Sequence, residues 1–538
     1  MDWIENHPRI AVLAGMVVLC GALYGSSLGN GFVLDDVPAV QANPHAHWPP
    51  DIGGILSTNY WGSPPHYRNL TIYRPLSTLS FALVDGMVPG EAVAPGAQRA
   101  VNILLHALAA WLVALLVLAW IGSVGTAWAG GILFAVHPVH SEAVLGVVSR
   151  AELLAAVFAL WAVLNHLGWS REEDRSARVR RGVLGVILVT LAIFSKENGA
   201  TVVVGLLLVD GLAAVRRRMD RGAHPRGAPW WTHLGSLAVL GGYLLLRSRV
   251  LSGVLAGDLD PYDNPLVDAS VLARVLTPFK ILLLNCRLLV APVELTWDYS
   301  YNHVPVVSTL WDGAAWSGIA IATAMTALLV WAVRRDGALA ACLALFAATY
   351  SVASNIVFLS TILMAERLLY LSSAFFLGAL AVVGHRVWSD AEAPWCRRWL
   401  LAALVLVSLG YSARTAVRIP EWEDGFTLAE AGVRVAPDSA KARHFLGHEL
   451  AAAGQPAEAI PHYRASLALD PTNFLAHFNL GLALHATGQL DAAFHAWEAA
   501  LLTSKGTHES SRAALCTAAL SARRIDLLQR WCTAGGGR

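Results

Sequence analysis

Charge is scarce in this chain: Asp, Glu, Lys and Arg make up 14% of its 538 residues, against roughly a quarter in an ordinary soluble domain. With a hydrophobic share of 56%, that scarcity argues against a purely water-exposed protein and for a bilayer. No surplus of one sign exists either. With 39 basic against 38 acidic residues, the chain lacks the basic excess that neutralises phosphates, which removes DNA and RNA as leading partners. Cysteine is rare. Six residues without a C-x-x-C pair exclude a disulfide scaffold and a thiolate zinc site. Neither G-x-G-x-x-G nor G-x-x-x-x-G-K-[ST] occurs, so nucleotide-driven chemistry has no support.

What is abundant is apolar sequence in long runs. Residues 10–28, 100–120, 122–136, 143–168, 182–195, 199–215, 233–250, 313–333, 337–357, 369–387 and 398–416 read as membrane crossings. Residues 272–291 are apolar too, but Lys280 and Arg287 in the interior suit an interfacial or re-entrant helix better than a crossing. With that segment excluded, the basic loops at 171–181, 216–226, 334–335 and 385–398 all fall on one side. The positive-inside rule then makes the N-terminus cytoplasmic and the C-terminal region extracytoplasmic, after about eleven crossings. A retained first helix is expected in preference to a cleaved signal peptide, because Gly25-Ser26-Ser27 is a loose cleavage site.

Composition changes near residue 418. The membrane domain is assigned to residues 1–418 and a second, Ala-rich and more charged domain to residues 419–538. There Leu446, Gly447, Leu450, Gly454, Ala459 and Tyr463 recur 34 residues later as Leu480, Gly481, Leu484, Gly488, Ala493 and Trp497, and Pro437 recurs as Pro471. This is the tetratricopeptide period, two antiparallel helices per repeat. Residues 422–435 read as a leading helix and 508–531 as a degenerate trailing pair. Cys516 and Cys532 lie in this domain, and core thiols are expected there in preference to a disulfide.

Polar clusters in the membrane domain map to the outer side. The long first outside loop, 29–75, carries Asp35 and Asp36 close to the first crossing. A carboxylate there suits a general base acting on an acceptor hydroxyl, and equally a helix cap. Arg74 closes the loop, where a guanidinium either pairs with a phosphate or snorkels to lipid headgroups. His137, His140 and Glu142 stand together, able to hold an acceptor or an optional divalent metal. Arg150 and Glu152 follow in apolar sequence, where unpaired charge is costly, so they are expected to pair or to line a polar cavity. Lys196 and Glu197 lie between two apolar runs, and Asp298, Glu366, Arg367 and Tyr370 complete the outer set. The outward bias suits an enzyme cavity better than a transporter, which needs mid-membrane ionisable groups and repeat halves. Eleven crossings are more than a membrane-anchored scaffold needs.

Gly31-Phe32-Val33-Leu34-Asp35-Asp36, Tyr73-Arg74-Pro75-Leu76, Asn102-Ile103-Leu104-Leu105-His106, the stretch from Leu133 through His137-Pro138-Val139-His140-Ser141 to Glu142, Ser195-Lys196-Glu197 and Ala365-Glu366-Arg367-Leu368-Leu369-Tyr370 follow one another in order. Together with the repeats they resemble the transmembrane-and-TPR O-mannosyltransferases. The resemblance covers most of the chain. It implies an all-α, polytopic GT-C glycosyltransferase domain followed by a TPR solenoid, a polyprenyl-phosphate-linked sugar donor, mannose first, and inverting transfer to Ser or Thr of a protein acceptor recruited by the repeats. Asp35, and after it Asp36, matches the catalytic base. Arg74, Arg150, Lys196, Glu197 and Arg367 become candidates for the donor phosphate or the cavity's charge network, and His137, His140 and Glu142 for the acceptor or metal. No cofactor is required by this reading and a divalent metal is optional. The Ala- and Arg-rich composition points to a bacterial inner membrane, and the repeat array is shorter than in the family's eukaryotic members.

Overall fold

The computed structural model describes residues 8–62, 72–88, 93–219, 227–251, 259–300 and 303–532, and the regular structure of these residues is helical throughout. Part of the first outside loop (63–71) and most of the basic loop 216–226 lie outside the described residues. Two compact units result: Met1–Asp260 with Leu266–Leu295 and Val306–Asp424, and Pro261–Pro265 with Thr296–Pro305 and Gly425–Arg538. The unit boundary therefore falls at 424/425 instead of 418/419. Two short stretches from the long connection after residue 251 also join the repeat unit.

The longer helices of the first unit are α1 (Pro8–Tyr24), α2 (Pro75–Asp85), α3 (Pro95–Ile121), α4 (Val124–Val136), α5 (Arg150–Arg171), α6 (Arg175–Ser195), α7 (Thr201–Met219), α8 (Trp230–Val250), α9 (Val271–Val290), α10 (Gly313–Arg335), α11 (Gly337–Tyr350), α12 (Tyr370–Asp390) and α13 (Pro394–Arg418). Their limits follow local chemistry. Asp174, Ser270, Asp312 and Asp336 each accept a hydrogen bond from a first-turn amide of the helix they precede, which satisfies donors with no intrahelical partner. Gly122, at φ 80°, ends α3 in the left-handed conformation.

Seven stretches of the described residues are long and apolar enough to cross a membrane: Arg9–Gly29, Pro95–Ile121, Val147–Arg171, Glu197–Met219, Gly313–Arg335, Glu366–Asp390 and Pro394–Trp422. The chain is an integral membrane protein. A helix stands at each of the eleven expected crossings, but four fall outside the seven. Helices α4 and α11 have 13 and 14 residues, short of the ~20 needed to span a bilayer alone, and α6 and α8 carry arginines at one end. Helix α9, excluded from the expected crossings, is not among the seven either. Pro278 lies inside it, Leu276, Ile281 and Leu282 are buried, and Val271, Val275 and Val290 are exposed.

Helix α3 packs against α1, α4 and α5. Along it Gln98, Arg99, Asn102 and His106 are fully buried. Their spacing places them along one side of a helix that is otherwise apolar, and Arg99 and Asn102 fix the loops around residues 27–31 and 144–147.

The second unit stacks α14 (Gly425–Val435), α15 (Ala440–Ala452) with α16 (Pro456–Leu469), α17 (Phe474–Ala486) with α18 (Leu490–Thr503), and α19 (Glu509–Ser521) with the short helix Ile525–Trp531. The period has a steric cause. A Cβ at Gly447 would lie 2.8 Å from the Tyr463 ring and one at Gly481 2.4 Å from the Trp497 ring, so the glycine of each first helix makes room for the aromatic of the second. Gly454 and Gly488, at φ 79° and 78°, close the first helix of each repeat. Leu446, Leu450, Tyr463, Leu480, Leu484, Trp497, Leu515 and Trp531 share one core. Cys516 and Cys532 form a disulfide across the last helix pair. This corrects the expectation of core thiols: the antiparallel turn brings the two Cα atoms to 5.8 Å, within bonding reach.

The two borrowed stretches bind the first repeat. Asp298 accepts a hydrogen bond from the Ser439 hydroxyl at 3.0 Å, Lys441 donates to Asp263 at 2.5 Å, and the Trp297 ring meets Phe445 edge-on at 5.1 Å. Asp298, read from sequence as part of the outer polar set, therefore serves the repeat unit.

Candidate active site

The two adjacent carboxylates of the first loop have different environments. Leu34 turns the chain at φ 48°, and the Asp36 amide closes on the Val33 carbonyl at 2.9 Å. The Asp36 side chain is fully buried. One carboxylate oxygen accepts the Val148 amide at 2.7 Å and the other the Val33 amide at 3.3 Å. Burial pushes its pKa up to about 6, with those amide hydrogen bonds working in the opposite sense. Asp35 is exposed, and its charge acts on Tyr60 and Arg367. Asp36 thus fixes the loop while Asp35 presents a carboxylate to solvent.

Arg99 holds this loop from beneath. Its Nε donates to the Leu145 carbonyl at 2.9 Å, Nη1 to Ser27 and Asn30 at 2.9 and 2.8 Å, and Nη2 to Gly31 at 2.8 Å.

Arg367, on which the charge of Asp35 acts, belongs to a set of three cations, each against a carboxylate. Arg74 Nε lies 3.1 Å from Glu197 Oε2, and its guanidinium stands 5.2 Å over the Tyr60 ring. Lys196 pairs with Glu152, whose second oxygen accepts Asn198 Nδ2 at 2.7 Å. Arg367 binds Glu142 with its guanidinium and, at 2.8 Å, with its backbone amide. Lys196 feels both arginines: burial, reinforced by Arg74 and Arg367, lowers its pKa to about 8 against the pull of Glu152. Arg74 and Arg367 have side chains 15% and 30% exposed, so both remain in reach of a ligand. Two forked guanidiniums beside a lysine suit a phosphate diester, and the neighbouring Asp35 suits proton removal.

Other expected site residues are engaged elsewhere. Arg150 is fully buried: Nε donates to Asn102 Oδ1 at 2.9 Å, Nη1 to Ser80 at 3.2 Å and Nη2 to the Gln98 carbonyl, and its guanidinium packs over Phe81 at 4.8 Å. It ties α2, α3 and α5 together and, among the described residues, pairs with no carboxylate. Its sequence neighbour Glu152 pairs with Lys196 instead. His137 and His140 are also fully buried. His137 Nε2 lies 3.0 Å from the Leu289 carbonyl, and its Nδ1 accepts the Val139 amide at 3.2 Å. His140 bridges the Phe134 carbonyl and the Ser373 hydroxyl, both at 2.8 Å. Burial lowers the His137 pKa to about 4 and also lowers that of His140, where the neighbouring imidazoles act in the same direction. Both rings are hydrogen-bonded within the protein, while Glu142 pairs with Arg367. Among the described residues no three His, Cys, Asp or Glu side chains form a group able to hold a metal ion.

Three participants went unrecognised in the sequence: Arg99 and Asn102 as loop anchors, the latter donating its Nδ2 to the Gly146 carbonyl at 3.0 Å, and Tyr60 beneath Arg74. The signal for the first two was the polar stripe at 98, 99, 102 and 106 on an otherwise apolar helix. Tyr60 had none. A further cluster at the other end of the unit, His166, Asp210 and His233, also passed unnoticed.

Comparison with known proteins places these features in context. Residues 256–326 match the family model "Protein O-mannosyl-transferase TMTC, DUF1736", and residues 447–488 match a TPR repeat model. The chain is 29% identical over 494 residues to "Protein O-mannosyl-transferase TMTC3" of Mus musculus, covering 88% of this chain and 52% of that protein. It is 30% identical over 528 residues to "Protein O-mannosyl-transferase TMTC1" of Homo sapiens, covering 89% and 57%. The chain thus spans a little over half the length of these relatives. Among solved structures, an archaeal oligosaccharyltransferase, AglB from Archaeoglobus fulgidus, in complex with an inhibitory peptide and a dolichol-phosphate, superposes with a TM-score of 0.45 at 14% identity, covering 83% of this chain and 58% of that one.

Proposed function

Because the chain belongs to the TMTC-type protein O-mannosyl-transferase family, we propose that it transfers mannose from a polyprenyl-phosphate donor to a Ser or Thr hydroxyl on the extracytoplasmic side of a membrane. The observation that carries this reading is the outer cluster: an exposed Asp35 within electrostatic range of Arg367, with Arg74 and Lys196 alongside.

In this proposal Asp35 takes the hydroxyl proton as the acceptor oxygen attacks the anomeric carbon. The bond from that carbon to the phosphate oxygen breaks, and polyprenyl phosphate leaves with inversion. Arg74 and Arg367 stabilise the charge that develops on the leaving phosphate. Lys196 adds to that field, while Glu142, Glu152 and Glu197 hold the three cations in position. Asp36 keeps the Asp35 loop in place and takes no proton. No step requires a metal. The membrane unit is assigned a GT-C architecture, and the repeat unit a role in recruiting the protein acceptor.

Orientation follows the basic loops: N-terminus in the cytoplasm, repeat unit outside, with a bacterial inner membrane as the proposed location on composition. The Cys516–Cys532 disulfide supports an extracytoplasmic repeat unit, since such bonds persist in oxidising compartments. Purified full chain, given polyprenyl-phosphate mannose and a Ser/Thr-rich peptide, is expected to yield mannosylated peptide. The same donor left untouched across a panel of acceptor peptides, with release of neither mannose nor polyprenyl phosphate, would contradict the proposal.

A further inference from the structure

At the end of the membrane unit that carries the basic loops, α3, α5, α7 and α11 line an open cavity of about 250 Å³. Trp120, Leu212 and Ala341 supply apolar wall, and Arg171, Arg216, His166, Ser170 and Asp210 supply the polar part. The two arginines are aimed by helix ends. Arg171 Nη2 donates to the Ala119 carbonyl at 2.7 Å, in the last turn of α3. Arg216 Nη1 donates to the Ala332 and Val333 carbonyls of α10 at 3.2 and 2.8 Å. Each guanidinium thereby uses one nitrogen, and a guanidinium carries five N–H donors. The remaining nitrogens find no protein acceptor among the described residues.

The one carboxylate in the wall is already satisfied. Asp210 Oδ1 lies 2.9 Å from His166 Nε2, and Oδ2 lies 2.9 Å from both His233 Nε2 and the Ala228 amide. Both oxygens are occupied by donors from α5, α8 and the turn before α8. Asp336, beside Gly337 at the cavity rim, is likewise taken: one oxygen accepts the Ala338 and Leu339 amides and the other binds Arg386 at 2.9 Å. Two arginines thus face a half-apolar space with the local carboxylates turned to other partners.

We propose that this cavity binds the phosphate headgroup of an anionic membrane lipid, with Arg171 and Arg216 as its ligands and the Trp120–Leu212 wall against the acyl chains. Basic pockets between membrane helices at the positive-inside face are suited to such headgroups. A site built at the meeting point of α3, α5, α7, α10 and α11 would tie these helices together. It lies at the opposite end of α5 and α7 from Arg150 and Glu197, and does not depend on the sugar-transfer reading.

The test uses the full chain in a non-ionic detergent, titrated with short-chain phosphatidylglycerol and read by native mass spectrometry and thermal stability. Tight, saturable binding of one phosphatidylglycerol is expected, with phosphatidylcholine much weaker. Each arginine near an anionic phosphate contributes roughly fivefold in affinity, so Arg171→Gln with Arg216→Gln is expected to weaken binding about thirtyfold. Arg180→Gln, on the same side but outside the cavity, is expected to leave it unchanged. Arg216→Lys, which keeps the charge, is expected to retain most of the binding and guards against a folding defect in the double variant. Equal binding of both lipids, an equal loss in Arg180→Gln, or inorganic phosphate reproducing the full stabilisation would each overturn the assignment to a lipid headgroup.

Discussion

In the repeat unit, the residues that decide the structure stand 34 apart and recur; in the membrane unit, the ion pairs that decide the site join residues 44, 123 and 225 apart, and each occurs once. Gly447 meets Tyr463 as Gly481 meets Trp497, so one contact is made twice and each helix pair carries its own share of stability. Lys196, Arg74 and Arg367 share one field, so the loss of one member is felt by the others. Local damage should therefore stay local in one unit and spread in the other.

The largest structural effect is expected from Lys196→Met. Glu152 would keep only Asn198 in a buried setting, and breaking a buried pair from one side costs on the order of 3–5 kcal/mol. Unfolding in detergent would measure it, and the double variant Lys196→Met with Glu152→Leu should recover most of the loss. A cost of the single variant below about 1 kcal/mol would place the pair in water and dissolve the contrast.

Next comes the disulfide. Replacing Cys516 and Cys532 by Ser, sixteen residues apart, should cost about 3 kcal/mol by loop-closure entropy. Limited proteolysis is expected to detect this loss at the last helix pair, with α15 to α18 unaffected. Cleavage that spreads through the whole array at once would show that the repeats are not locally autonomous.

A smaller change follows from Gly481→Ala, whose Cβ meets the Trp497 ring at 2.4 Å. Overpacking of this kind costs roughly 1–3 kcal/mol. Circular dichroism of the melting transition would register it, and sugar transfer from the donor to a short peptide should hardly change.

A pH dependence is expected at Asp36. Its folded pKa, about 6, lies above the ordinary 3.8, so between these values the folded state binds the proton more tightly than the unfolded chain. Stability from this group is fully present below about 4 and declines as pH rises towards 6. Asp36→Asn should flatten that slope. A wild-type profile that rises over the same window, and is unchanged in the variant, would show that the carboxylate is not buried.

The contrast also explains what could be read from the sequence. The repeats were legible because a 34-residue period states the same packing rule more than once, and the apolar runs because length and hydropathy suffice for a helix in a bilayer. The polar residues of the site were legible by type. Their roles were not, because role depends on partners distant in sequence. Nothing near Arg150 announces that Ser80, Gln98 and Asn102 take up its donors, nor near His140 that Phe134 and Ser373 hold its ring. Asp35 and Asp36 are adjacent, yet one is exposed and the other gripped by the Val148 amide, 112 residues away. The disulfide was missed for a related reason: a sixteen-residue separation on helices looks long until the turn folds it back.

The most direct test of the account is transfer of mannose from polyprenyl-phosphate mannose to a Ser/Thr peptide by Asp35→Asn and Asp36→Asn, each verified as folded. With Asp35 as general base, Asp35→Asn is expected to lose transfer by at least about a hundredfold, while Asp36→Asn stays within about tenfold of wild type. Transfer that survives in Asp35→Asn and collapses in a folded Asp36→Asn would contradict the assignment of the two carboxylates.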